Sequence, residues 1–391
     1  VRQNVRIGAD KLDGGDGNDV LQGQTGDDTL IGGLGSDDLF GGDDNDTLNG
    51  GVGIDVYNAG NGIDTFQIAG TEALFDTFNG NGATAIVALG TVGVTLNSFD
   101  AAASQIKTFT GNGKGVLGDA TANDFDFSGL TTASRFRLIA GAAGNETLLG
   151  STCGDGIRGG NGDDNLNGGD GADTLNGGIG IDTLEGGAGN DKFVVSGIEG
   201  QFDILTDSAG ASDTISFVGA TITLNGFDAS GSGIEVWDGK NAAIIGNAGA
   251  NVFDLSGLTS VSAYKTIDGG AGNDTLIGVD LADVVDDLRG NTGNDSFTGG
   301  KGNDKFTGGS GNDTFIFDAT DFGKDTITDF GTGFDVLDFD NVFATDQDVI
   351  DAATQVGTSV VITFDDSNTV TLQNYTLAQL EALNGTNQIL T

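Results

Sequence analysis

GGNGDDNLNGGDGADTLNGGIGIDTLEGGAGNDKF, residues 159–193, repeats one pattern every nine residues. The sixth position of each repeat is Asp, and the eighth position is large and apolar. An α-helix does not explain this period, because nine residues make about two and a half turns and would place successive Asp residues on opposite sides. Glycine at this density would also cost a helix roughly 1 kcal/mol per position. The period therefore predicts a glycine-rich turn followed by a short strand.

The same nine-residue frame occurs in three separate arrays. Its sixth positions are the candidate metal ligands of the chain. In the first array they are Asp19, Asp28, Asp37, Asp46, Asp55 and Asp64. In the second they are Asp155, Asp164, Asp173, Asp182 and Asp191. In the third the frame slips by three residues after the second member, and the residues are Asp274, Asp283, Asp295, Asp304 and Asp313.

Composition excludes several classes of protein. The 391 residues include 71 glycines, no His, no Pro and no Met, and 15 basic residues face 58 acidic ones, for a net charge of −43. Such a surface repels nucleic acid and anionic membranes, so neither is an expected partner. Without His there is no Ser-His-Asp triad and no HExxH zinc site. No run of apolar residues is long enough to span a bilayer, and the single Cys153 excludes an internal disulfide.

The stretches between the arrays are poorer in glycine and alternate apolar with polar residues, as in DTISFVGATITLNGF from Asp213, which predicts β-strands. They also repeat each other, since the sequence from Val94 matches the sequence from Ile222 without a gap as far as Gly150. Large aromatic residues recur at matching places in this duplicated unit, as core residues would. Examples are Phe109, Trp237 and Tyr264.

These patterns divide the chain into seven segments, in which helix signals are scarce and the best is TLAQLEALNG, residues 376–385. The segments are an N-terminal lead (1–12), array I (13–67), an inter-array segment (68–140), array II (141–194), a second inter-array segment (195–267), array III (268–317) and a C-terminal cap (318–391).

The repeat approximates G-G-x-G-x-D-x-U-x, where U is large and apolar, and it resembles the repeats-in-toxin (RTX) family of haemolysin-type calcium-binding proteins. The resemblance implies an all-β fold, a parallel β-roll in which two repeats make one turn, with the six-residue loop binding Ca²⁺ and U pointing inward. It also implies one-step export through a type I secretion machinery from a Gram-negative-type bacterium, directed by the C-terminal segment. The expected location is extracellular or at the cell surface.

The residues support calcium independently of the resemblance. In a stacked roll the Asp carboxylates would be neighbours, and two like charges at ~4 Å repel by about 4 kcal/mol at an effective dielectric of 20. Ca²⁺ accepts carboxylate and carbonyl oxygens in a tolerant geometry, whereas Mg²⁺ demands a stricter octahedron. Zn²⁺ would favour His or Cys ligands. Several calcium ions are therefore the expected cofactors.

The expected core is too thin to fold an array by itself. Each repeat buries one large side chain, worth ~1.5–3 kcal/mol, against a backbone ordering cost of ~1–2 kcal/mol for each of its residues. Calcium binding must then contribute folding free energy, and metal-free arrays should be largely unfolded.

Three other motifs are weaker. GKGVLG from Gly113 fits a dinucleotide-binding G-x-G-x-x-G, but its duplicate reads NAAIIG and lacks both leading glycines. EF-hand loops would need flanking helices and a Glu at position twelve, which the arrays lack. A pair of glycosidase carboxylates could be present among so many acids, yet no pair stands out.

Two functions follow from the sequence. The first is a structural protein without enzymatic activity that self-associates as a surface layer, filament or adhesin. The alternative is the calcium-dependent folding and secretion module of a larger exoenzyme or toxin, since a chain without Met leaves room for an upstream domain.

Overall fold

A computed structural model describes residues 2–4, 7–69, 76–81, 84–89, 94–96, 99–110, 115–118, 121–130, 132–133, 138–197, 203–210, 212–262, 265–282, 284–317, 321–339 and 342–391. The chain divides into two compact units. Unit 1 comprises Val1–Val194 and Asp203–Asp213, and unit 2 comprises Val195–Phe202 and Thr214–Thr391.

Array I of unit 1 is a roll of two parallel sheets, and consecutive strands alternate between the sheets. One sheet has the order β1-β3-β5-β7-β9, and the other begins β2-β4-β6-β8. The strands are β1 Arg2–Asn4, β2 Lys11–Asp16, β3 Val20–Thr25, β4 Thr29–Leu34, β5 Asp38–Asp43, β6 Thr47–Val52, β7 Val56–Asn61, β8 Thr65–Ala69 and β9 Thr77–Asn79.

Every eighth-position side chain of array I points into the roll. Leu30 pairs with Leu48 in one sheet and Leu39 pairs with Tyr57 in the other, and all four are at most 1% exposed. The second glycine of a repeat permits the turn, as at Gly33, whose φ of 114° is open to glycine and strained for other residues. The repeat thus forms one strand and one tight turn, as its period predicts.

The inter-array segment of unit 1 is also a parallel solenoid, but each of its turns contains three strands. One sheet of the roll continues as β8-β10-β13-β16, and two new sheets begin as β11-β14-β17 and β12-β15-β18. The strands are β10 Thr84–Leu89, β11 Val94–Thr95, β12 Phe99–Asp100, β13 Ile106–Thr110, β14 Val116–Leu117, β15 Asp124–Asp126, β16 Thr132–Ala133, β17 Ile139–Ala140 and β18 Thr147–Leu149.

Array II continues the two new sheets and returns to two strands per turn. The sheets run β17-β19-β21-β23 and β18-β20-β22-β24. The strands are β19 Gly156–Asn161, β20 Asn165–Asp170, β21 Thr174–Ile179, β22 Thr183–Ala188, β23 Lys192–Ser196 and β24 Ile204–Thr206.

Unit 2 repeats this plan from three-stranded turns to a two-stranded roll. Its three sheets run β25-β28-β31, β26-β29-β32 and β27-β30-β33, and array III extends the last two of them as β34-β36-β38 and β35-β37-β39. The strands are β25 Thr214–Val218, β26 Thr221–Leu224, β27 Phe227–Asp228, β28 Val236–Asp238, β29 Ala243–Gly246, β30 Val252–Asp254, β31 Ser260–Ser262, β32 Thr266–Asp268, β33 Thr275–Ile277, β34 Asp287–Thr292, β35 Ser296–Thr298, β36 Lys305–Ser310, β37 Thr314–Ile316, β38 Lys324–Ile327 and β39 Val336–Asp338.

The C-terminal region caps array III with antiparallel strands. The sheet order β38-β42-β41-β40 turns antiparallel at β41 and β40, while β43 extends the other sheet. The elements are α2 Asp346–Asp351, β40 Ala353–Val356, β41 Ser359–Thr363, β42 Thr369–Leu372, α3 Leu377–Glu381 and β43 Ile389–Leu390, and one turn of helix, α1 Ala229–Ser232, precedes them in unit 2.

The predicted all-β parallel roll in three arrays is confirmed. The predicted duplication also appears in the strand register, because Phe99 pairs with Phe125 in unit 1 as Phe227 pairs with Phe253 in unit 2. Phe109 and its counterpart Trp237 are fully buried; Tyr264 lies outside the described residues. Among the residues described, no helix has the length and apolar character to cross a membrane.

Candidate calcium sites

The sixth-position Asp residues form ladders that run along the arrays. One carboxylate oxygen of each accepts a hydrogen bond from the backbone N–H of the ladder residue one turn earlier. Asp28 N donates to Asp46 Oδ1 at 2.8 Å, and Asp173 N donates to Asp191 Oδ1 at 2.7 Å, in both cases across 18 residues. Because these carboxylates are at most 3% exposed, each turn fixes the carboxylate of the next one inside the loop.

Six ladders are present in the described parts of the chain. Array I contains Asp10-Asp28-Asp46-Asp64 and Asp19-Asp37-Asp55-Asp76. Array II contains Glu146-Asp164-Asp182-Asp203 and Asp155-Asp173-Asp191-Asp213. Array III contains Asn251-Asp274-Asp295-Asp313-Asp335 and Asp286-Asp304-Asp325.

The second oxygen of most ladder carboxylates is buried and has no protein hydrogen-bond partner. A buried polar atom without a partner is costly, and a buried charge more so. A recurring oxygen of this kind therefore indicates a ligand for a cation. The carboxylates that show it at Oδ2 are Asp28, Asp37, Asp46, Asp55, Asp164, Asp173, Asp182, Asp191, Asp274, Asp295, Asp304, Asp313 and Asp325.

Backbone carbonyl oxygens share the space of these second oxygens. At Gly168, the first position of its repeat, an added Cβ would lie 2.5 Å from Asp173 Oδ2 and would also meet the carbonyl oxygen of Gly186 in the next turn. Gly41 shows the same arrangement with Asp46. Glycine is required there because both oxygens already occupy the position of a side chain. The donor set consists of carboxylate and carbonyl oxygens, which fits Ca²⁺.

The end of array I shows what such a group of oxygens attracts. Asn81 Nδ2 donates to the carbonyl oxygens of Gly60 at 2.8 Å and Gly62 at 2.9 Å, and to Asp64 Oδ2 at 3.2 Å. The three acceptors belong to the second, fourth and sixth positions of one repeat. They converge on a single point, which a partially positive amide group occupies in this loop.

Asn replaces Asp at the sixth position in the turn that precedes each of arrays II and III. Asn251 Nδ2 donates to the carbonyl oxygen of Gly249 at 2.8 Å and to Asn247 Oδ1 at 2.9 Å. Asn123, its counterpart in unit 1, donates to the carbonyl oxygen of Thr121. These loops satisfy their own acceptors with an amide, so they need no ion.

Burial raises the pKa of many ladder carboxylates, although hydrogen bonds from backbone N–H groups oppose the shift. The pKa rises to about 7 for Asp46 and Asp173 and to about 8 for Asp304 and Asp325. Desolvation disfavours the ionised form. Without a cation, part of each array would hold carboxyl groups that resist ionisation at neutral pH, whereas a bound cation stabilises the carboxylate.

The structure places every predicted ligand that it describes in one of these ladders. Asp283 lies outside the described residues, and Asp286 occupies the ladder position in that turn. The predicted nine-residue frame did not include six further ladder residues, which are Asp10, Asp76, Asp203, Asp213, Asp325 and Asp335. Inserted residues lengthen the loops before most of these positions. A shorter pattern, an Asp with an apolar residue two positions later, would have found all six, as in the pair Asp325 and Ile327.

Comparisons with known proteins agree with this geometry. The family model of the RTX calcium-binding nonapeptide repeat matches residues 6–39, 31–66, 140–175, 167–194, 266–285 and 282–315. A search of the curated proteins finds no match. Among solved structures, the chain is similar to the extracellular lipase LipA from Serratia marcescens, with 21% identity over 79% of this chain and a TM-score of 0.22. The chain spans 45% of the length of that protein.

The predicted RTX repeats are thus confirmed in several copies. The matched repeats lie in the three arrays, and they support calcium binding and, at a coarse level, an extracellular location.

Proposed function

We propose that this protein is a structural component of a cell surface or extracellular layer, filament or adhesin, which folds on meeting external Ca²⁺ and then self-associates. The proposal assigns it no enzymatic activity. The type I secretion machinery would be its partner during export. The main support is a set of apolar side chains that the calcium loops hold in solvent.

Two loops of unit 1 carry this feature in the same form. GGVGID (50–55) exposes Val52 by 51% and Ile54 by 54%, and GGIGID (177–182) exposes Ile179 by 56% and Ile181 by 53%. These are the third and fifth positions of the repeat, where Asn and Asp are common. Single exposed apolar residues are ordinary, but clustered ones mark contact surfaces.

The fifth position of the repeat normally forms a second, polar ladder, in which a side-chain oxygen accepts a hydrogen bond from the backbone of a neighbouring turn. Ile63 N donates to Asn45 Oδ1 at 2.8 Å, and Ile181 N donates to Asp163 Oδ1 at 2.9 Å. An Ile donates this bond from its backbone N–H but offers no side-chain oxygen to the next turn. The ladder therefore ends at an apolar residue, and this residue is presented only when the loop is folded. Calcium-dependent folding would then create the surface for self-association.

The alternative is a calcium-dependent folding and secretion module of a larger exoenzyme or toxin. The antiparallel cap of β40, β41 and β42 favours it to the extent that a capped array can fold as a unit without further copies. This alternative predicts a monomer in calcium.

Light scattering of the purified chain during calcium addition tests the proposal. We expect large particles at millimolar Ca²⁺ and their loss in the double variant Ile54→Thr, Ile181→Thr. Ile204→Thr is the matched control, because Ile204 is 55% exposed on a strand rather than in a calcium loop. A folded wild-type chain that remains monomeric at millimolar Ca²⁺ would overturn self-assembly and favour the module.

A further inference from the structure

Array II ends in a segment that the nine-residue frame does not include. DSAGASD, residues 207–213, follows β24 and lies beyond the residues matched by the family model. Residues 207–210 of this segment nevertheless cover the preceding loop. Ala209 pairs with Ala188, and Gly189 N donates to the carbonyl oxygen of Ala209 at 2.9 Å.

Asp207 of this segment takes the place of a backbone carbonyl group. In a regular turn, the first glycine faces the ladder carboxylate of its own repeat and a carbonyl oxygen of the next turn, as Gly168 faces Asp173 Oδ2 and Gly186 O. Gly186 itself faces Asp191 Oδ2, at 2.7 Å from an added Cβ, and Asp207 Oδ1 instead of a carbonyl oxygen. The closing turn thus presents a charged oxygen where the inner turns present a neutral one.

Asp213 adds a third carboxylate. One oxygen from each of Asp191, Asp207 and Asp213 lies within 4.8 Å of the others. Asp191 is 1% exposed, and its Oδ2 has no hydrogen-bond partner. Three carboxylates this close would repel each other strongly unless a cation lay between them.

We propose that Asp191, Asp207 and Asp213 bind a calcium ion that closes array II, at a site built partly from residues outside the repeats. This inference rests on the calcium-dependent fold proposed above. Three carboxylate oxygens in a partly open loop suit Ca²⁺, which takes 6–8 oxygen ligands and accepts water among them. The site would carry more negative charge than an inner site, where carbonyl oxygens replace carboxylates.

The segment that closes array III shows why the two ends differ. DFGTGFD, residues 329–335, has the same length and the same terminal Asp residues. Here both oxygens of Asp329 accept hydrogen bonds, from Gly308 N and Gly309 N at 2.9 Å each, and Asp335 Oδ2 accepts one from Gly331 N at 2.7 Å. Asp329 is therefore held by two backbone donors, as Asp207 is, and array III adds a backbone donor to the second oxygen of its last Asp, Asp335.

Hydrogen bonds in array II leave room for the ion. Asp207 accepts from Gly187 N at 3.1 Å and from Ala209 N at 3.0 Å, and Asp213 Oδ1 accepts from Asp191 N at 2.7 Å. Each of these bonds fixes the direction of a carboxylate, and each oxygen keeps a further lone pair for a metal.

Anomalous diffraction from crystals of the full chain grown in CaCl₂ tests the site. We expect a calcium peak about 2.3–2.6 Å from an oxygen of each of the three residues. In Asp207→Asn this peak should be lost or much reduced, while peaks in the inner loops of array II persist. Asp170→Asn is the control, because Asp170 is an exposed carboxylate in the same array, and it should retain every peak.

The wild-type crystal decides the question even if Asp207→Asn does not fold. Calcium peaks in the inner loops with none, or only water, among the three carboxylates would overturn this site and leave the calcium-dependent fold standing. Absence of calcium from every loop would overturn both.

Discussion

The arrays and the inter-array segments build parallel solenoids by different means. A turn of array II takes 18 residues and two strands, and it places one large apolar residue in each strand, such as Leu166 or Leu175. A turn of the inter-array segment takes 22 to 26 residues and three strands. Its interior holds packed rings, with 5.3 Å between the centroids of Phe99 and Phe127.

The arrays and the inter-array segments also differ in the polar groups that they bury. Arrays bury carboxylate oxygens that have no protein donor, whereas the turn before array III places Asn251 in the ladder and supplies an amide. We therefore expect the wider turns, with their packed rings, to fold without calcium, and the narrow turns, which bury charge, to require an ion. The comparison teaches that a few side chains can decide whether the folding of a parallel solenoid depends on calcium.

Proton concentration should affect the arrays most, because many buried carboxyl groups act together. Burial raises the pKa of many of these groups above the ordinary 3.8 in the metal-free fold, to about 6 for Asp182 and about 8 for Asp304. A raised pKa contributes stability that is fully present below 3.8 and is lost as the pH rises through the folded value. We expect the calcium-free chain to show more β-structure by circular dichroism at pH 5 than at pH 8.

Saturating calcium should reverse this dependence, since the ion binds the ionised carboxylates. Equal metal-free spectra at the two pH values would show that carboxyl burial does not control folding of the arrays.

Removing an inter-array ring should cost about 3–5 kcal/mol, the usual range for a buried Phe→Ala change. Phe109 is fully buried, with its ring 5.8 Å from that of Phe127. We expect Phe109→Ala to destabilise the segment in the presence and absence of calcium alike, as measured by urea-dependent hydrogen exchange of residues 99–110. A loss confined to calcium-free buffer would remove the distinction between the two kinds of turn.

A methyl group at a first-position glycine should raise the calcium concentration that folding requires. Gly168→Ala would overlap Asp173 Oδ2 and the Gly186 carbonyl group, at a cost of about 1–3 kcal/mol from overpacking. The midpoint of calcium-induced folding, followed by circular dichroism, should rise.

Ala59 is a natural comparison, because it occupies a first position where Asn81 rather than an ion fills the loop. Ala59→Gly should leave the midpoint near that of the wild type.

Exchanging the amide at the end of array I should have the smallest effect. Asn81→Asp replaces a donor by a carboxylate opposite Asp64 and leaves buried acceptors unsatisfied, at about 1–3 kcal/mol in calcium-free buffer. Added calcium should restore stability, because the loop would then resemble an inner site. Hydrogen exchange of residues 56–66 measures both states, and a defect that calcium does not relieve would contradict the amide's role as a substitute for the ion.

The nine-residue period and the inward apolar position predicted the rolls, because a strict period leaves few ways to stack. The same period was sufficient to predict the candidate ligands that lie in a regular frame, such as Asp173. The three-stranded turns could not be predicted, since the strand alternation does not say how many strands complete a turn. Candidate ligands after inserted loops, such as Asp286 and Asp325, did not fit a fixed frame, because a loop can hold extra residues without moving the next strand.

Hydrogen exchange followed by mass spectrometry, with and without a calcium chelator at pH 7.5, tests the central claim most directly. Peptides from array II (159–193) and from the inter-array segment of unit 2 (214–262) provide the comparison within one sample. The account predicts that chelation removes protection from array II and leaves most of the protection of 214–262. Protection of array II that survives chelation, or equal loss in both peptides, would contradict it.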